Sequence, residues 1–484
     1  MKKSILITKS LILSGLVLFS ITSCDQDLDL TPQANASQGD LPAGGFEQTT
    51  FGIYGKLRDN GLADWTRFWF QNIRSDDAAK GSTTGDAASI GQEFDTFGYS
   101  KTSGINKDNW VGHYGLIIAC NALLSDIETS GDTGTGTATN KAEARAIRAW
   151  AYFELRRDYG EVPLFTKKST TVSDAFIAKS TVAQIDAFIE TELKEAAAVL
   201  PLAWPSAYIG RATKGFANAL LAKLYLYQGK YADAYTKSTE VINSGQYSLL
   251  TDFKKVFSKE GNNSSESVFE IQFLCRDISD VDKYNSLYYG QQGFRGSGSW
   301  DLGWGFNAPT QDLINSFASN DPRKDATILV SGQNDGYGLI VPSVNDTSGL
   351  WNKKAYTDPA DRKSIGVLYN RWFNIKIIRY ADVLLMAAEA AIQTGNTASA
   401  ANYINQVRNR VGLSAISSPS LSDLKRERRA ELAMENERFY DLVRWGDASS
   451  VLASLGYTAK NALYPIPQDA IDQSGGKLLQ NPNY

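Results

Sequence analysis

Two stretches of this chain carry the same plan: an apolar run of helical period, a glycine break, then a second run of the same period. Residues 216–227 are apolar almost all the way round, which predicts a helix buried on every side. Gln228-Gly229 breaks it, and residues 231–242 predict a second helix. Residues 381–393 repeat the pattern, Gly395 breaks it, and 398–411 follow. At the first break Tyr225, Gly229, Tyr231 and Ala234 set large side chains on small ones. A helix pair of this kind has apolar faces that only neighbouring pairs can cover, so the chain must stack helices.

Pairs with this spacing look like tetratricopeptide units of about 34 residues. The expected fold is mainly α, with helix pairs in an α-α superhelix. Residues 141–159 add a stripe of Ala144, Ile147, Trp150, Ala151, Phe153 and Leu155. Ser180-Thr181 supply N-caps for a helix over 182–200, which Pro201 stops. The two glycine-broken units are far apart in sequence, so insertions separate them. Residues 261–366 are rich in Gly, Asn, Asp, Ser and Trp, and their helical signals are few and short, 310–318 being one. Residues 76–103 are similar, with Lys80-Gly81-Ser82-Thr83-Thr84-Gly85 and Phe94-Asp95-Thr96-Phe97-Gly98-Tyr99. Loops this long are usually functional. Residues 129–140, Gly/Thr-rich without aromatics, read as a plain connector.

The amino terminus predicts an address. Met1-Lys2-Lys3 precedes a mostly apolar stretch, 5–19, too short to span a bilayer, and Ile21-Thr22-Ser23-Cys24 closes it. That ending looks like a bacterial lipobox, so residues 1–23 are expected to be a lipoprotein signal, with Cys24 the lipidated first residue of the mature chain. Residues 24–40 form a polar spacer and 41–484 a single body, whose helical-repeat portion covers 141–260 and 375–450. The formal net charge is −4 over the full sequence, which leaves no electrostatic footprint for nucleic acid. His113 is the only histidine, which argues against a His-ligated metal and against Ser-His or Cys-His catalysis. Cys120 and Cys275 read as small buried hydrophobes. Asn334-Asp335-Gly336 and Asn345-Asp346-Thr347 lack the spacing of a calcium loop, so no metal and no cofactor are expected.

Several blocks, taken in order, carry a family resemblance. They are Ala142-Glu143-Ala144-Arg145 running to Tyr159-Gly160-Glu161-Val162-Pro163; Arg211-Ala212-Thr213-Lys214-Gly215-Phe216; Asp321-Pro322-Arg323; Arg379-Tyr380-Ala381-Asp382; Arg429-Ala430-Glu431-Leu432-Ala433; Glu437-Arg438-Phe439-Tyr440-Asp441; and Tyr464-Pro465-Ile466-Pro467. Together with the lipobox they resemble the SusD/RagB family of outer-membrane nutrient-binding lipoproteins. The resemblance implies tetratricopeptide-like helices beside a loop-rich half that carries the ligand site. It implies a surface-exposed lipoprotein over a TonB-dependent β-barrel transporter, which captures oligosaccharides and delivers them without catalysis. Some members handle peptides, so a peptide-binding member with a transporter partner is the alternative.

The blocks themselves read as structural. Residues 426–444 form a charge-dense helix, in which Glu435/Arg438 and Asp441/Arg444 pair at i, i+3. Neutral sugars need aromatic faces beside fixed hydrogen-bonding groups, because a desolvated hydroxyl without a partner costs about 1–3 kcal/mol. The stretch 294–304 offers Trp300 and Trp304 among glycines, in the region where family loops meet ligand. Arg74, Asp76, Asp77, Phe97 and Tyr99 form the second candidate group, and Trp351, Arg371 and Trp372 a third. Phe68-Trp69-Phe70, Trp110 and Tyr114 are expected in the core. A glycosidase reading is disfavoured: adjacent Asp76 and Asp77 do not flank one bond at the required separation, and Glu93 and Asp95 show no pairing.

Overall fold

The computed structural model describes residues 45–280, 287–345 and 347–484. The leader, Cys24, the spacer and Asp346 lie outside the described residues. Seven helices form a ladder in which each packs on the next: α1 (Gly104–Ser130), α2 (Thr135–Tyr159), α3 (Val182–Val199), α4 (Lys214–Tyr227), α5 (Tyr231–Asn243), α6 (Tyr380–Gln393) and α7 (Thr397–Arg410). Helix α8 (Leu421–Leu432) lies across α6 and α7, and α9 (Arg438–Trp445) follows it. The step from α5 to α6 joins the two glycine-broken units across the insertion 244–379. There the Tyr235 hydroxyl lies 3.1 Å from that of Ser399.

Local chemistry explains the ladder. Thr181 and Gln184 form a capping box at α3, and the Thr213 and Asn396 side chains cap α4 and α7. Gly229 and Gly395 take left-handed φ of +69° and +78°. This lets Lys230 N–H reach Tyr225 O at 2.9 Å and Asn396 N–H reach Ala391 O at 2.8 Å. Helix α4 is buried from Gly215 to Leu226. Phe68, Trp69, Phe70, Trp110 and Tyr114 are core, and Cys120 and Cys275 are buried free thiols.

Two expectations are corrected. The supposed connector 129–140 is mostly helix: only Gly131–Gly134 joins α1 to α2. The Asp132 carboxylate accepts from Gly134 N–H at 2.8 Å and from the Thr137 hydroxyl at 2.5 Å, and so starts α2 early. The supposed single helix over 426–444 is broken between α8 and α9. Met434 and Asn436 stand there at φ +66° and +68°, a conformation that costs Met434 about 1–2 kcal/mol and that asparagine tolerates better. Glu435 therefore turns away from Arg438 and pairs with Lys354 at 2.6 Å and Arg379 at 2.7 Å. The Asp441–Arg444 pair forms as expected, at 2.9 Å.

Among the described residues the insertions fold back as three two-stranded antiparallel sheets. They pair β1 (Ala78–Gly81) with β3 (Phe306–Pro309), β2 (Ser267–Ile271) with β6 (Ile375–Arg379), and β4 (Ile328–Val330) with β5 (Leu350–Asn352). The first pair, in register Ala79 to Ala308, fastens the 76–103 stretch to the 261–366 stretch. Buried ion pairs tie the helices to one another and the 261–366 stretch to α8, and arginines of the blocks that carry the family resemblance supply them. Arg211 joins Glu47 and Glu143, Arg148 joins Glu192, and Arg323 joins Asp321, Glu427 and Glu431.

His113 gives the core a titratable mark. Its Nδ1 lies 2.7 Å from Asn109 O, and a carbonyl only accepts, so the proton sits on Nδ1. Nε2 is buried with no partner among the described residues. Burial pushes the pKa down to about 4, with Arg67 and Arg157 adding to it and Glu154 opposing. Between pH 6.5 and 4 the unfolded chain binds a proton that the folded chain refuses. This stabilisation is thus present above the ordinary value and lost as pH falls toward 4, by up to about 3 kcal/mol. Asp64 and Asp95, pushed up to about 6 by burial, contribute the opposite slope. The expected result is a difference: urea midpoints of His113→Gln fall less between pH 7 and 4.5 than those of wild type. Parallel curves would remove His113 from the linkage.

Candidate functional site

The segment 293–305 is a loop closed on itself. Gly305 N–H donates to Gly293 O at 2.8 Å and Leu302 N–H to Phe294 O at 3.0 Å. The two arms touch backbone to backbone: a Cβ on Gly293 would lie 1.9 Å from Leu302 O, and one on Gly303 2.1 Å from Gly290 O. Only glycine allows that approach. Ser82 N–H donates to Gly305 O at 2.7 Å and so ties the loop to the end of β1. Phe294 and Leu302 point inward, onto Trp351, Leu329, Val341 and Tyr356.

The closure presents Trp304. Its side is 42% exposed, with the ring parallel to Phe306 at 6.4 Å and the Arg295 guanidinium 5.0 Å from its centroid. Trp300 is half-buried, edge-on to Phe294 at 5.0 Å and stacked on Tyr356 at 6.0 Å.

A fringe of fixed polar groups surrounds Trp304. Asp86 holds Arg295 at 2.9 Å and accepts from the hydroxyls of Ser82 at 2.7 Å and Thr83 at 2.8 Å. Slight burial opposes ionisation of Asp86, but the two hydroxyls and Arg295 outweigh it and hold the carboxyl below its ordinary range. Lys80 Nζ binds Thr83 O at 2.7 Å and Asp86 O at 3.0 Å, which locks this turn. Burial and the neighbouring Asp301 carboxylate raise the Tyr369 phenol, which also lies in the fields of Arg371 and Arg295. Arg371 rests 5.7 Å from the Tyr369 ring and has no ion-pair partner among the described residues. Beside the flat apolar ring of Trp304 the patch thus offers the Arg295 guanidinium as donor and, held to it, the Asp86 carboxylate as acceptor.

Other expected site residues are not there. Arg74 is fully buried, 3.2 Å from Asp158, with its guanidinium 3.9 Å from the Phe439 ring and 4.3 Å from that of Tyr464. Asp76 is buried and chelated by Arg438 at 2.7 and 2.8 Å, and Asp77 is held by Arg429 at 2.8 Å. Phe97 packs on Tyr457 and Phe439, and Tyr99 on Tyr464, all in the core. Trp351 is 2% exposed on β5, and Trp372 is buried. These polar residues left the surface because opposite charges from α8, α9 and α2 meet them, which makes burial tolerable. Burial raises the pKa of both Glu93 and Asp95, with no second carboxylate paired to either among the described residues. Each accepts a backbone N–H, from Ser100 and Lys80, which is a structural use.

The 76–103 stretch does reach the site, but through Ser82, Thr83 and Asp86. Asp86, Arg295, Asp301 and Tyr369 escaped sequence reasoning. The signal available was Arg295 and Asp301 inside the same glycine-rich run as the two tryptophans.

Residues 265–484 match the model of the SusD family, and residues 68–226 that of "Starch-binding associating with outer membrane". A solved laminarin-binding SusD-like protein is similar at 30% identity and TM-score 0.79, covering 90% of this chain and 98% of that one. Surface glycan-binding protein A from Bacteroides thetaiotaomicron, solved in complex with laminarihexaose, is similar at 25% identity and TM-score 0.76, covering 91% and 99%. A SusD-like protein of Bacteroides ovatus is 26% identical over 361 residues, which are 69% of this chain and 65% of that relative. With its helical ladder, its inserted loops and these matches, the chain belongs to the SusD/RagB family, whose members are non-catalytic glycan-binding proteins.

Proposed function

We propose that this protein is a cell-surface lipoprotein, anchored through Cys24, that captures oligosaccharides on the Trp304 face and passes them to a TonB-dependent outer-membrane transporter. The observation that carries the reading is Trp304 itself: a large ring left open to solvent on a loop that three backbone hydrogen bonds and a hydrophobic floor hold still. Preorganisation of this kind cuts the ordering cost of binding. The donors and acceptors around the ring suit a hydroxyl-rich ligand. The laminarin and laminarihexaose named for two relatives make a β-glucan the first ligand to try.

The test is calorimetric titration of the unlipidated chain from Asp25 with laminarin, laminarihexaose and a panel of α-glucans, fructans, xylan, mannan and pectin. Saturable binding of one class is expected. Silence across the panel, with binding of a peptide library instead, would overturn the glycan reading. Anchoring is checked separately: Cys24→Ala should move the protein from the membrane fraction to the soluble one.

A further inference from the structure

Beyond the Trp304 loop, a cavity of about 340 Å³ opens among the 252–260 segment, the Asp335–Tyr337 turn and the 353–361 segment. The turn is built to present a ring. The buried Asp335 carboxylate accepts from Tyr337 N–H at 2.8 Å and Leu339 N–H at 2.9 Å, and from the Tyr356 hydroxyl at 2.7 Å. Gly336, at φ +95°, turns the chain so that Tyr337 projects outward, 46% exposed. Tyr337 lies 6.1 Å from Tyr356, which in turn stacks on Trp300. A row of rings therefore runs from the loop that carries Trp304 to the mouth of this cavity.

The wall is mixed in character. Lys353 Nζ points at Gly336, 3.3 Å from where a Cβ would stand, and no acceptor meets it among the described residues. Burial and nearby Lys254 depress its pKa, as for an ammonium short of partners. Asp358, Asp361 and Glu260 lie close enough to Tyr337 to raise its phenol after burial. Five carboxylates and three lysines line the cavity, a balance that disfavours an anion. No metal-binding group of three or more ligands is present among the described residues.

We propose that this cavity is a second carbohydrate subsite. It takes neutral sugar units from the same glycan chain that lies on Trp304, with a sugar face on Tyr337, hydroxyls donating to the carboxylates and Lys353 donating back. The inference rests on the glycan reading above. Its size falls within the range of small-molecule sites, which span roughly 300–1,000 Å³. Two subsites on one chain act by effective concentration, so the gain appears only for a ligand long enough to span both.

The experiment compares laminarin with laminarihexaose on wild type, Tyr337→Ala, Tyr337→Phe, Lys353→Met and Trp304→Ala. Tyr337→Ala is expected to weaken laminarin binding about tenfold, and Lys353→Met in the same direction, while Tyr337→Phe keeps the ring and the affinity. Loss in Trp304→Ala with Tyr337→Ala unchanged at both lengths overturns the second subsite and leaves the Trp304 reading standing. No effect of either ring on the binding of whichever glycan wild type takes, or no binding of any glycan in the panel, overturns both.

Discussion

A Trp304→Ala chain will bind its glycan about thirtyfold more weakly than wild type and melt at the same temperature. Trp304 is 42% exposed and lies outside the core, so its removal opens no cavity there; what goes is the platform beside Phe306 and Arg295. Removing an aromatic anchor at a binding hot spot costs about 2 kcal/mol or more, and each 1.4 kcal/mol is tenfold. Asp86→Ala should give a smaller loss in the same assay, because it frees Arg295 without removing the ring. Calorimetric titration and thermal scanning of the same samples separate the two effects. A fallen melting temperature with unchanged affinity would place Trp304 in the packing instead of the site.

Glu431→Ala will destabilise the fold by about 3–5 kcal/mol and leave any residual folded chain able to bind. Glu431 is fully buried at the junction of three arginines: Arg379 at 2.5 Å, Arg323 at 3.1 Å and Arg410. Those arginines belong to β6, to the inserted segment and to α7, so one carboxylate holds the loop-rich half against the ladder. Burial opposes its charge, but the three guanidiniums hold its pKa well below the carboxylate range. A carboxylate depressed on folding stabilises above its unfolded pKa, near 4.5, and that support is lost as pH falls further. The wild type should therefore lose stability steeply below about pH 4.5, while Glu431→Ala shows a shallower acid limb. Urea midpoints across pH measure both. An alanine variant as stable as wild type would show that the neighbouring Glu266, Glu427 and Glu435 compensate fully.

The ladder was legible because its signals are local. A cap speaks to a backbone three residues away, a glycine break to five, and an apolar stripe to the next turn. Thr181, Thr213, Gly229 and Gly395 therefore stand where their sequence neighbourhoods put them. The same locality misled at residues 129–140, where composition resembled a loop but the Asp132 side chain starts a helix. It misled again at 426–444, where helical charge spacing hid the break at Met434 and Asn436. Trp304 was readable as a ring among glycines.

Sequence alone thus determined a mainly helical stack, its breaks, its family and one of the rings that face solvent. Only the tertiary structure decided which charges are structural. Arg74, Asp76 and Asp77 look like surface groups beside their neighbours in sequence. Their partners Asp158, Arg438 and Arg429 come from α2, α9 and α8, far along the chain. An isolated charge must stay in water, whereas one met by its opposite is tolerated in the core. That meeting depends on how the insertions fold back onto the ladder, a long-range fact that no window of neighbouring residues contains.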